Sequence, residues 1–176
     1  ENAMRTARVL DVGTGSGAIA VSLALARPAW KVEALDVSPD ALALARENAR
    51  RLGAEVEFRQ VDILQEDAWT ALGTYDVVVS NPPYVRESER AQMHDNVRRY
   101  EPPLALFVPD EDPLRFYRAI GRFALAGLAA GGRLYFEINR AFGRQTAELL
   151  TGLGFAEVEV FQDINGCDRM VRAVKK

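Results

Sequence analysis

From Ala7 onward, short apolar runs alternate with longer stretches of helical periodicity. Such alternation stacks βα units around a mostly parallel sheet and leaves little room for other architectures. Ala7 to Val12 is expected to form the first strand, and Gly17 to Ala26, apolar at Ile19, Leu23 and Ala26, the helix after it. Lys31 to Asp36 reads as the second strand. Ser38-Pro39 then offers an N-cap hydroxyl and a proline whose fixed φ suits the first helical position, so a helix is predicted to run to Leu52 and to stop at Gly53. Strands follow at Glu55 to Gln60 and at Tyr75 to Ser80, where the run YDVVVS suits a strand covered on both faces.

After Ser80 the rhythm breaks. Val85 to Asp112 is rich in proline and charge and shows no clear strand, which marks a lid or binding segment rather than a simple connection. Pro113 to Ala130 is helical by the spacing of Phe116, Ile120, Phe123 and Leu128, and Gly131-Gly132 is expected to stop it before a fifth strand, Arg133 to Ile138. Phe142 to Leu153 reads as a further helix. Phe155 to Phe161 and Arg169 to Val174 are strand-like runs joined by a short loop that holds Asn165-Gly166, a hairpin signal. The expected fold is therefore α/β: a doubly wound, Rossmann-like sheet of about seven strands whose last strand runs antiparallel in a carboxy-terminal hairpin.

Length and charge narrow the function. A chain of 176 residues with 48% hydrophobic and 27% charged residues suits one folded domain, with residues 1–4 read as a linker or cloning remnant ahead of it. Its 22 basic and 25 acidic residues give a net charge of −3, so no whole-chain field draws it to nucleic acid or to anionic lipid. The single cysteine, Cys167, excludes an internal disulfide framework, and the single histidine, His94, excludes a multi-histidine metal site. With no apolar run near the ~20 residues of a membrane span and no signal-peptide pattern, a cytoplasmic enzyme or binding module is expected.

Four features carry chemistry. Asp11-Val12-Gly13-Thr14-Gly15-Ser16-Gly17 follows the first strand and opens a helix, where glycines let the backbone turn sharply and approach a nucleotide-like cofactor. Gly13, Gly15 and Ala18 also fit a dinucleotide fingerprint, so this loop alone does not name the ligand. Asp36 ends the second strand, roughly 20 residues beyond the first glycine, where a carboxylate can accept from both ribose hydroxyls. Asp62 lies just past the third strand and can accept from an adenine amino group, with Ile63 packing on the ring. Asp11, Asp36 and Asp62 together suit a sulfonium and an ammonium better than a pyrophosphate, which favours S-adenosyl-L-methionine, with S-adenosyl-L-homocysteine as product.

The fourth feature, Asn81-Pro82-Pro83-Tyr84, stands at the carboxyl end of the fourth strand, at the crevice where such sheets bind ligands. Two prolines stiffen the backbone there. The Asn81 side-chain oxygen and the Pro82 carbonyl can each accept an N–H from a planar NH2 group, while Tyr84 packs over its plane. Such a nitrogen is barely nucleophilic, so aimed acceptors would orient it and stabilise the charge that develops as a methyl group arrives.

With these residues in place the chain resembles the HemK-type protein-(glutamine-N5) methyltransferases, class I S-adenosylmethionine-dependent enzymes acting on the Gly-Gly-Gln motif of peptide chain release factors. The resemblance runs through DVGTGSGAIA (Asp11 to Ala20), ALDVSPDALALARENA (Ala34 to Ala49), VSNPPYV (Val79 to Val85), YEPPLALF (Tyr100 to Phe107) and the FEIN run at Phe136. It implies that Gly13 to Gly17, Asp36, Ile63 and Asn81 contact the cofactor and that Asn81 to Tyr84 hold the glutamine amide, with Asn81 and Pro82 as the catalytic pair. It also implies an amino-terminal helical docking domain, which this chain is expected to lack. Glu101 and Glu137 sit in family-like runs and are expected to shape the pocket. His94 reads as an exposed loop residue and Cys167 as inert packing.

Competing readings are methylation of an exocyclic amine of adenine or guanine in DNA or rRNA, glutamine methylation of a ribosomal protein, and a nicotinamide-dependent oxidoreductase or an inert nucleotide-binding module. Nucleic acid would need a basic track. Val85 to Pro103 instead sets Arg86, Arg90, Arg98 and Arg99 against Glu87, Glu89, Asp95 and Glu101, which is locally neutral and disfavours a nucleic-acid partner.

Overall fold

The computed structural model describes residues 6–92 and 106–176. The amino-terminal residues 1–4, His94, Glu101 and most of the Tyr100 to Phe107 run therefore lie outside the described residues.

Seven strands form one sheet: β1 (Arg8–Val12), β2 (Lys31–Asp36), β3 (Glu57–Gln60), β4 (Tyr75–Ser80), β7 (Leu128–Glu137), β8 (Ala156–Gln162) and β9 (Asp168–Val174). A short pair, β5 (Val85–Arg86) and β6 (Phe107–Val108), forms a second, two-stranded sheet. The main sheet has the order β3-β2-β1-β4-β7-β9-β8. β1, β2, β3, β4 and β7 run parallel, and β9 pairs antiparallel with both β7 and β8. The seven strands and the antiparallel carboxy-terminal hairpin agree with the sequence expectation.

Among the described residues, four α-helices cover the faces: α1 (Ala18–Ala26), α2 (Pro39–Leu52), α3 (Arg115–Gly127) and α4 (Gly143–Leu153). Alternation along the central strands sends Leu10, Val12, Val78, Leu134 and Phe136 into one core with Tyr117, Ile120 and Phe123 of α3 and Leu150 of α4. Val9, Val32, Ala34 and Val77 enter the opposite core, where Ala20 and Ala24 bring α1 close to the sheet. The signals around α2 act as read: Ser38 Oγ accepts from the Ala41 amide at 3.2 Å, and Gly53 closes the helix with φ at 71°. β3 starts at Glu57 rather than Glu55, because the same cap carries the Ala54 amide back to the Ala49 carbonyl.

Two expectations are corrected. The helix expected to reach Ala130 ends at Gly127, and Gly131-Gly132 lies inside β7 instead of in a stop before it. Leu128 pairs with Tyr75, and Lys175 exchanges hydrogen bonds with Gly131 and Gly132. The alanines of this segment suit a helix, but the partners on both sides make strand pairing win. Gly131 at φ 74° absorbs the irregularity. The Val85 to Asp112 stretch, read as lacking a strand, holds the two-residue β5 and β6 around a 3-10 turn at Glu87–Gln92, elements too short to show periodicity.

Phe123, 2% exposed, ties α3 to the sheet by meeting Trp69 edge-on at 5.8 Å and the Tyr75 ring at 6.4 Å. Its replacement by alanine should cost about 3–5 kcal/mol through lost burial and a residual cavity. Urea unfolding followed by tryptophan emission measures this, and a loss below about 1 kcal/mol would show that α3 does not depend on this ring.

Candidate active site

β1 lies between β2 and β4, so the chain order reverses beside it, and the carboxyl ends of these strands are where a sheet of this order forms its ligand crevice. The loop leaving β1 is fastened by its neighbours. The Gly13 and Thr14 amides both donate to the Leu35 carbonyl of β2, at 2.9 and 2.8 Å, and the Asn48 side chain of α2 donates to the Ser16 carbonyl at 2.9 Å. Gly13 at φ 72° and Gly15 at φ 56° occupy the left-handed region, and a side chain built on either would point into open space. Gly17 differs: it is buried, and a Cβ there would stand 3.1 Å from Ala45 Cβ. Its smallness lets α1 approach α2, while Gly13 and Gly15 leave the crevice open.

Asp11 sits under this loop with no exposed surface. One carboxylate oxygen accepts from Thr14 Oγ1 at 2.7 Å and from the Ala20 amide at 3.1 Å, whereas Oδ1 is buried without a hydrogen-bond partner. Burial pushes this carboxyl up to about 6, against the pull of the Thr14 and Ala20 donors and with a smaller push from the Asp36 charge. Asp36 joins two loops, accepting from the Gly15 amide on one oxygen and from the Ser38 amide on the other, both at 2.9 Å. Each oxygen retains a second acceptor direction. Because Ser38 caps α2, Asp36 is not the cap. Asp62 accepts from the Leu64 amide at 2.9 Å and is half-buried, and Ile63 is 8% exposed within the core cluster. Val37, 42% exposed immediately after Asp36, was not singled out from sequence, although an apolar side chain in such a turn is a usable signal.

On the other side of β1, Ser80 ends β4 fully buried and donates to the Val12 carbonyl at 2.6 Å, locking the two strand ends together. Asn81 follows, exposed and with no side-chain partner among the described residues, and Pro82 is buried behind it. Tyr84 is held at both ends. Its hydroxyl donates to Glu137 Oε1 at 3.2 Å, and its carbonyl accepts from Asn139 Nδ2 at 3.1 Å. Burial, followed by the Glu137 charge, raises the Tyr84 phenol above its ordinary value despite nearby Arg169, so at neutral pH it is a neutral donor. Glu137, expected to shape the pocket, is placed against the Tyr84 hydroxyl. Asn139 and Ser80 drew no assignment from sequence, since neither has a local pattern that reveals a partner more than 50 residues away.

This strand order, the glycine turn after β1 and the Asn-Pro-Pro-Tyr turn after β4 define a class I methyltransferase fold. A solved methyltransferase from Pyrococcus furiosus superposes with a TM-score of 0.71, covering 97% of this chain and 75% of that one at 19% identity. The chain belongs to the methyltransferase small domain family, which matches residues 1–98. It is also 49% identical to a release factor glutamine methyltransferase of Bacteroides thetaiotaomicron, over 94% of this chain and 59% of that protein. A protein of the same name from Flavobacterium psychrophilum is 45% identical over 97% of this chain and 59% of its own length. The chain spans about three fifths of these relatives. No helix among the described residues is long and apolar enough to cross a membrane.

Asp11 yields a signed pH effect. Its folded value of about 6 exceeds the ordinary 3.8, so the native state binds the proton more tightly and gains stability as pH falls through 6. Relative to Asp11→Asn, the protein should gain about 2 kcal/mol between pH 7.5 and pH 4. Denaturant unfolding of both proteins across this range measures the difference, and parallel profiles would show that Asp11 does not titrate there.

Proposed function

We propose that this chain is the methyl-transferring portion of an S-adenosylmethionine-dependent protein-(glutamine-N5) methyltransferase, and that its substrate is the Gly-Gly-Gln glutamine of a peptide chain release factor. The observation that carries this reading is the turn at Asn81 to Tyr84. An exposed Asn81 with no described partner follows a strand end locked by Ser80, with a buried Pro82 and a doubly held Tyr84 behind it. The names of the relatives favour the release factor over other glutamine-bearing proteins, and such a substrate places the reaction in the cytoplasm.

The residues present fit S-adenosylmethionine. Gly13 and Gly15 border open space, Asp36 keeps acceptor directions for a ribose, and Asp11 holds a buried oxygen without a partner next to that carboxylate. Thr14, Ser16 and the backbone to Gly17 would line the cradle, with Asp62 and Ile63 at its adenine end. When bound, the cofactor supplies a methyl group activated by a sulfonium. The chain's own residues do the rest. Asn81 Oδ1 and the Pro82 carbonyl accept the two N–H groups of the amide, which fixes the nitrogen's orientation and places partial negative charge beside the positive charge that develops. The Tyr84 ring would cover the amide plane, with its hydroxyl bonded to Glu137. The amide proton is acidified only as the new bond forms, so it can leave to water afterwards and no strong base is required.

Asn81→Ala should leave cofactor affinity within a few-fold and abolish most transfer. Asp36→Ala should weaken cofactor binding by about 1–3 kcal/mol, since it removes charged hydrogen bonds. Calorimetry with S-adenosylhomocysteine, together with mass spectrometry of release factor, ribosomal protein and RNA after incubation with labelled cofactor, checks both. Label on an RNA base, or Asn81→Ala turnover equal to that of the unaltered protein, would overturn the assignment.

A further inference from the structure

The prolines leave a gap in their own control. A proline ring fixes φ, and a following proline restricts the ψ before it, so Asn81 to Pro83 is held largely by local chemistry. Tyr84 receives no such help: its ψ and both side-chain torsions are free unless distant groups hold them. Those groups leave the end of β7. Glu137 accepts from the Tyr84 hydroxyl at 3.2 Å, and Asn139, two residues later, donates to the Tyr84 carbonyl at 3.1 Å. The grip is itself anchored. Tyr117, fully buried in α3, donates to the Glu137 carbonyl at 3.4 Å and packs edge-on against Phe136 at 5.1 Å. Asn139 uses its oxygen for the Ala141 amide at 2.9 Å, which directs its nitrogen towards Tyr84 and Glu89. Arg169 of β9 stands beside Tyr84 and Glu137 while paired to Asp163 at 3.3 Å.

We propose that Glu137 and Asn139 are positioning residues for the acceptor amide: by gripping Tyr84 at its hydroxyl and at its carbonyl, they set the plane of the ring under which the NH2 group must lie. This rests on the reading of Asn81 to Tyr84 as the amide site. It assigns to β7 a control over turnover that is separate from cofactor binding, because neither residue bonds to the glycine loop, Asp36 or Asp62.

Steady-state kinetics on release factor, calorimetry with S-adenosylhomocysteine and amide exchange of Asn81 and of Tyr84 to Arg86 test it on four single variants and one double variant. Glu137→Ala and Tyr84→Phe should each lower kcat by about tenfold or more, because orientation of the acceptor is degraded. S-adenosylhomocysteine affinity should stay within twofold, and the double variant should be no slower than the slower single one. Glu137→Gln, which keeps an acceptor oxygen, should recover most of the rate. Asn139→Ser, which keeps a cap for the turn that follows, should slow turnover and quicken amide exchange at Tyr84 to Arg86, as should Glu137→Ala. Multiplying losses in the double variant, a Glu137→Gln as slow as Glu137→Ala, or unchanged amide exchange would overturn the proposal. Amide exchange needs no acceptor, so it judges the grip even if the unaltered protein methylates no glutamine, the result that would instead defeat the functional reading.

Discussion

The rest of the site depends on how the chain leaves β1. This strand is flanked by β2 and β4, so the backbone must turn out of the sheet and begin α1 within a few residues, with its polar groups satisfied on the way. The solution is backbone bonding across the sheet: two successive amides reach the same Leu35 carbonyl, and the Gly15 amide reaches the Asp36 carboxylate. Only residues tolerant of positive φ can follow this path, which is why glycine stands at 13 and 15. Once the turn is fixed, the positions of Asp11, Asp36 and the start of α1 are fixed with it.

That arrangement concentrates negative charge. Asp11 is buried among apolar strand residues with one oxygen unpartnered, and the Asp36 charge adds to the cost of ionising it. A buried carboxyl with so few donors weakens the fold unless something offsets it. The offset most consistent with an acidic crevice is a cation, which would favour the ionised form of Asp11 and recover part of the free energy that its burial removes. The same residue can therefore be unfavourable for the free protein and favourable for the complex, as expected where ligand affinity rather than stability has shaped a site.

Legibility in the sequence followed the range of the interactions. Ser38-Pro39 and Gly53 mark α2 correctly because capping is decided within four residues, and the glycine loop and the valines of β4 are similarly local signals. Leu128 to Gly132 reads as helix and stop because its alanines favour a helix, while the strand that forms there draws on Tyr75 and Lys175, both distant in sequence. Ser80 and Asn139 look unremarkable for the same reason: each acts on a carbonyl far along the chain. Glu137 stands out through a family-like run, yet its bond to Tyr84 depends on β4 and β7 lying side by side.

The two halves of the crevice are thus built by different physics. The side formed by β1 and β2 is held by backbone amides of the glycine turn bonding across to Leu35 and Asp36, and a change there would disturb the turn itself. The side formed by β4 is stiffened by prolines, but its last residue is set by side chains from β7, with Arg169 of β9 alongside. Side chains can be exchanged without rerouting a backbone. A sheet of this order can therefore keep one cofactor cradle while the groups around the fourth strand are altered to suit different acceptors, and the fold alone does not name the acceptor. In this chain the frame beside the exposed Asn81 is made by Glu137 and Asn139 on Tyr84, with Arg169 alongside, and under the proposed function it would meet a planar group that offers two N–H donors.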